Sequence, residues 1–96
     1  MTRLIWSPRA IRDLESIHEY VARDSAIYAD LVVHRLVHSA ARLREFPHLG
    51  RVVPEVAQSN VRELIAPPFR LVYRTRPEAI EIVTVFRASR LFPAPP

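Results

Sequence analysis

Residues 69–90, FRLVYRTRPEAIEIVTVFRASR, constrain this chain more than any other stretch. On the first half, Phe69, Leu71 and Tyr73 alternate with Arg70, Val72 and Arg74. On the second, Ile80, Ile82, Thr84 and Phe86 alternate with Glu81, Val83, Val85 and Arg87. Side chains along a strand point to opposite faces in turn, so each half predicts a strand with one apolar and one mixed face. Arg76, Pro77 and Glu78 between them are turn material, because proline cannot feed a central ladder. The expectation is an antiparallel pair that buries one side, carries guanidinium groups on the other, and needs a cover from the rest of the chain.

The cover lies upstream. Arg3–Trp6 (RLIW) is a short strand candidate, and Ser7-Pro8 reads as a helix N-cap followed by the first helical position. A first helix is expected over about residues 8–23, with Ile11, Leu14, Ile17, His18 and Val21 on one apolar stripe and Arg12, Asp13, Glu15 and Glu19 facing water. Asp24-Ser25 breaks it. A second helix is expected over about residues 26–45, with Tyr28, Val32, Leu36, Ala40 and Leu43 buried and Leu31 and Val33 widening the stripe. So short a connection predicts an antiparallel helical hairpin.

Phe46-Pro47 closes the second helix, since the residue before a proline avoids helical angles. Gly50 is the only glycine, and the turn around it predicts a positive φ there. Residues 47–60 read as a loop, Val61–Ala66 as a third strand of a C-terminal meander, and Pro67-Pro68 as a tight link. Residues 91–96 form a proline-rich tail, neither helix nor central strand. The fold class is α+β: an N-terminal strand and a two-helix hairpin packed on a mainly antiparallel sheet, in a single domain over residues 1–96.

Composition excludes several chemistries. Cysteine is absent, so disulfides, thiolate metal sites and cysteine nucleophiles are ruled out. No apolar run approaches the ~20 residues that span a bilayer, and MTRLIW lacks a signal-peptide core, so no membrane association and a cytoplasmic location are expected. All 14 basic residues are arginine, and the net charge is +4. Guanidinium pairs bidentately with carboxylate and phosphate but does not deprotonate, so these groups suit an acidic partner and serve poorly as general bases. His34 and His38, four apart on a helix, share a face and could hold zinc, but Arg35, Leu36 and Val37 between them include no glutamate base; a chance pair is the plainer reading, and no metal or cofactor is expected. Tyr20, Tyr28 and Tyr73 read as core or core-edge residues with hydroxyls reaching water.

Trp6, Ala10, Asp13, Leu14, Ile17 and Tyr20, then Leu43 with FPHLGR (Pro47, Gly50, Arg51), then Arg62, FRLVYR and IVTVFRASR occur in an order and at a length that resemble the ParE/RelE superfamily of bacterial type II toxin–antitoxin toxins, the ParE (plasmid-stabilisation) branch most. The resemblance implies a toxin that inhibits DNA gyrase by binding and is neutralised by a ParD-like antitoxin, whose C-terminal segment folds onto it. RelE-like members instead cut mRNA on the ribosome, and a degenerate, non-toxic member is a third possibility. Where the family often has a histidine and then a glycine after the last strand, this chain has Arg87 and Ala88.

Ribosome-dependent cleavage needs a base, cations and an acid. Of the positions that supply them in RelE-like enzymes, Arg70 matches. The basic position before its strand falls on neutral residues 65–68, the one after the last strand near Ala88 and Ser89, and the terminal tyrosine in the tail. No catalytic residue is therefore assigned. Target contact is expected from Arg70, Arg87 and Arg90, whose joint replacement by alanine should abolish toxicity without unfolding the domain. Arg70 has a structural alternative, an ion pair with Glu63 on the neighbouring strand. Arg87 and Arg90 have one too, a charged edge that discourages aggregation. Antitoxin contact is expected from Ile17, Tyr20, Tyr28, Arg62 and Arg74, with a helix laid beside the hairpin or a strand added to the sheet. Sequence-specific nucleic-acid binding by the toxin alone is not expected.

Overall fold

The computed structural model describes residues 2–90 and residue 92. In chain order the elements are β1 (Arg3–Trp6), α1 (Pro8–Ala22), α2 (Ala26–Ala41), a 3-10 turn (Arg42–Arg44), β2 (Arg51–Val52), β3 (Val61–Ala66), β4 (Phe69–Thr75) and β5 (Ala79–Arg87). They form one five-stranded sheet in the order β1-β5-β4-β3-β2, with α1 and α2 packed on one face. β1 runs parallel to β5, and the other pairings are antiparallel. No helix among the described residues is long and apolar enough to cross a membrane.

Local signals set the helix starts. The Ser7 hydroxyl accepts from the Ala10 amide at 3.0 Å and donates to the Val83 carbonyl at 2.9 Å, so the cap of α1 also fastens it to β5. The Ser25 hydroxyl accepts from the Tyr28 amide at 3.1 Å and caps α2. His18 and Asp30 meet at 2.6 Å across the hairpin. α2 stops at Ala41 rather than 45, tightening into the 3-10 turn before Phe46-Pro47. Its buried stripe is Ala29, Val32, Leu36 and Ala40, continued by Leu43; Tyr28 and Leu31 are half-exposed instead. Ile11 on α1 is likewise 47% exposed, because the short side chain of Ala10 is what sits against the sheet.

The sheet departs from simple alternation in two ways. First, both faces are buried. Phe69, Leu71, Tyr73, Ile80 and Ile82 pack under the helices, while Val61, Val72, Val83 and Phe86 pack with Val53 and Val56 of the loop before β3 and with Phe92. The stretch read as a loop therefore supplies a second cover, and its residues Arg51–Val52 add β2 to the sheet. Phe92 is the part of the proline-rich tail that lies within the described residues.

Second, β5 is bulged. Val72 stands opposite Thr84 and Tyr73 opposite Ile82, leaving Val83 without a counterpart. The extra residue shifts the side-chain parity, so Val85 joins Ile80 and Ile82 under the helices and Phe86 turns to the far face. Asp13, expected in water, holds this bulge: its carboxylate accepts from the Thr84 hydroxyl at 2.6 Å and from the Val85 amide at 2.9 Å.

Gly50 is also used differently from expectation. Its φ is not positive; a side chain is excluded by crowding, since a Cβ would lie 2.4 Å from the Glu63 carbonyl oxygen and 2.9 Å from the Tyr73 ring. The Tyr73 hydroxyl does not reach water. It accepts from the Gly50 amide at 2.9 Å and donates to the Pro47 carbonyl at 2.9 Å, anchoring the loop to β4, and burial pushes the phenol above its ordinary pKa.

Candidate docking groove

A groove of about 700 Å³ opens between α1 and the adjoining ends of β4 and β5. The spacing 9, 13, 16, 20, 23 runs along one face of α1 and its C-cap, so Arg9, Tyr20 and Arg23 line one wall. Phe69, Arg87 and Arg90 line the other. The Arg87 guanidinium lies 5.7 Å from the centre of the Tyr20 ring and 5.5 Å from that of Phe69; Arg23 lies 5.7 Å from Tyr20 on the helix side. Such contacts contribute about 0.5–1 kcal/mol each at exposed sites, enough to hold long side chains in place without neutralising them. The groove has four arginines against two carboxylates, and one of those, Asp13, is already occupied by Thr84 and Val85. What remains is a basic cleft with aromatic and aliphatic walls, suited to an acidic surface that also carries apolar groups.

Arg70 lies elsewhere. Its pairing opposite Phe86 and its contacts with the Phe86 and Phe92 rings, at 5.2 and 5.4 Å, place it on the far face of the sheet. It is 8% exposed. Its Nε donates to Glu63 at 2.6 Å and its terminal nitrogens form a fork on Glu55 at 3.0 Å each. Glu63, wholly buried, accepts a second 2.6 Å bond from Arg51 on the edge strand. Buried charges persist only when paired in this way. The Glu55 hydrogen bonds hold Arg70 above its usual pKa, and Arg70 in turn holds the Glu55 carboxyl below the ordinary carboxylate value.

The residues singled out from sequence thus separate into groups. Arg87 and Arg90 share the groove with Ile17 and Tyr20. Tyr28 lines a smaller cleft of about 350 Å³ with Leu36, Pro67 and Pro68 on the other side of α2. Arg62 donates to the Gly50 carbonyl at 3.0 Å and to Ser59 at 3.1 Å, stitching the loop to β3. Arg74 stands 3.6 Å from Glu81, which Arg76 also reaches at 3.0 Å. Sequence reasoning passed over Arg9 and Arg23, although helical spacing puts them beside Tyr20, and over Glu55, which no periodicity marks. No group of three or more histidine, aspartate or glutamate side chains suited to a metal comes together among the described residues.

Residues 4–92 match the family described as ParE toxin of type II toxin–antitoxin system, parDE. The chain is 33% identical over 92 residues to Toxin RelE2 of Caulobacter vibrioides, covering 95% of this chain and all of that one. It is 34% identical over 93 residues to Y4kP of Sinorhizobium fredii, covering 95% and 93% respectively. Among solved structures it is similar to one titled "Chromosomal ParDE TA system from P. aeruginosa", with a TM-score of 0.76 and 27% identity over 91% of this chain and 96% of that one.

Proposed function

Because the chain belongs to the ParE family of toxins from type II toxin–antitoxin systems, we propose that it arrests growth by docking on DNA gyrase in the cytoplasm, and that a ParD-like antitoxin neutralises it by covering the same surface. The observation that carries this reading is the groove in which Arg87, held between Tyr20 and Phe69, stands beside Arg9, Arg23 and Arg90. Guanidinium groups at such a site attract and orient an acidic partner, and they have no proton to exchange near neutral pH. Cleavage of mRNA is favoured less by the arrangement, since Arg70, the position that matches a cation of RelE-like enzymes, is held by Glu55 and Glu63 on the far face. Ile17 and Tyr20 lie in the groove with Arg87 and Arg90, so an antitoxin segment seated on the first pair would mask the second.

Induction of the gene in a bacterial host, with parallel assays of plasmid supercoiling by purified gyrase, tests this. The expected result is filamentation and a DNA-damage response while translation continues, with supercoiling inhibited in vitro and restored by the antitoxin. Transcripts cut on the ribosome while supercoiling stays normal would overturn the gyrase reading in favour of an mRNA endonuclease. Unimpaired growth would mark a family member without toxicity.

A further inference from the structure

The core of α2 faces one way; the opposite face carries Ile27, Leu31, His34, His38 and Ala41. At 3.6 residues per turn these five fall within about 80° of one another around the helix axis. All five are exposed, Ile27 by 84% and Leu31 by 44%. The stripe is uncharged, and His38 at its edge also lines the smaller cleft beside Leu36, Pro67 and Pro68. In its middle the His34 and His38 rings lie nearly parallel, 15° apart with centroids at 6.4 Å. Neither imidazole is engaged in a hydrogen bond or ion pair among the described residues, unlike His18, which is taken up by Asp30. Two uncommitted imidazoles one helical turn apart are two of the four ligands that a tetrahedral zinc ion takes.

We propose that His34 and His38 form a divalent transition-metal site completed by the same pair from a second copy of the chain. The chain's own pattern specifies the arrangement. A two-fold axis through the point midway between the two histidines runs the two α2 helices antiparallel and sets His34 of each copy against His38 of the other. The same axis sets Leu31 opposite Ala41, five residues to either side of that midpoint. A large side chain against a small one lets the helices approach to about 8–10 Å, the ordinary spacing of packed helices. The ion supplies the bond energy that so narrow an apolar stripe lacks. This surface lies on the outer side of α2, and the inference stands independently of the docking groove.

The full chain, stripped with EDTA and titrated with zinc chloride, tests it by calorimetry and sedimentation. The expected result is one ion bound per two chains with the sedimenting mass doubled, reversed by EDTA. His34→Ala and His38→Ala each abolish zinc-dependent doubling, whereas His48→Ala leaves it unchanged. Absence of binding, one ion per chain at unchanged mass, or doubling that survives His34→Ala would overturn the proposal. Leu31→Glu, which keeps both ligands but sets a charge against the partner helix, should weaken the doubling; a variant that dimerises as readily as the unaltered chain would overturn the antiparallel contact.

Discussion

Arg70 and Arg87 stand one register position apart on adjoining strands, yet they leave the sheet on opposite faces. Arg87 pairs opposite Phe69 and turns toward Tyr20 of α1, whereas Arg70 pairs opposite Phe86 and turns toward Glu55 and Glu63. The two guanidinium groups therefore have different work, and a triple alanine replacement of Arg70, Arg87 and Arg90 would mix two effects that single changes separate.

Arg87→Ala combined with Arg90→Ala should abolish growth arrest and cost no more than about 2 kcal/mol of unfolding free energy, since only the two ring contacts of Arg87 at the groove are lost. Arg70→Ala leaves Glu63 buried with one partner in place of two and should cost about 3 kcal/mol or more. Urea denaturation of the two variants checks this: a double variant as unstable as Arg70→Ala, or an Arg70→Ala chain as stable as the unaltered one, contradicts the division.

Gly50→Ala should be among the more damaging small changes. A methyl group there meets the Glu63 carbonyl at 2.4 Å, and backbone cannot swing aside as a flexible side chain can. Overpacking of this kind costs about 1–3 kcal/mol. A thermal midpoint equal to that of the unaltered chain would show that the loop moves freely away from β3, against the Tyr73 anchor described above.

Much of this arrangement is legible in the residues themselves. Ser7-Pro8 and Ser25 mark both helix starts, and the alternation over Phe69–Thr75 gives a central strand with its correct helix-side residues. The bulge is not legible, because nothing in IEIVTVFR distinguishes the residue left out of the ladder. The contacts at the bulge come from far away in sequence: Asp13 reaches the Val85 amide and the Thr84 hydroxyl, and Ser7 the Val83 carbonyl. The parity of Arg87, and hence the composition of the groove, follows from that bulge. For the same reason Glu63 is readable as a partner of Arg70 from strand pairing, while Glu55, brought in by a loop, is not. Gly50 is visible as the one glycine, but a close approach and a positive φ leave the same mark in a sequence.

Acid should loosen the far face of the sheet, where Glu55 holds Arg70. The Glu55 carboxyl is held below its ordinary value, chiefly by its hydrogen bonds to Arg70. A depressed pKa in the folded state gives stability that is full above the unfolded value, near 4.5, and is lost as pH falls through the folded value. Glu55→Gln removes this group's contribution, so the difference in stability between the unaltered chain and the variant should shrink as pH drops below about 4.5. A difference that stays constant from neutral pH down through that window would show that the fork on Arg70 contributes nothing to folding.

Asp13→Ala tests whether the bulge is maintained from outside the strand. The substitution strands the buried Val85 amide and the Thr84 hydroxyl, and an unsatisfied buried donor costs about 1–3 kcal/mol. Loss of stability alone would say only that the contact is favourable. The sharper readout is the groove: with its clamp gone, β5 can regain regular alternation beyond Ile82, which would carry Arg87 away from Tyr20 and toward the face that holds Arg70. Asp13→Ala should therefore reduce toxicity well below that of an equally destabilised Gly50→Ala chain, while Asp13→Asn, which keeps an acceptor for the Val85 amide, retains most of it. Equal toxicity of the two destabilised variants would mean that the bulge holds its place without Asp13.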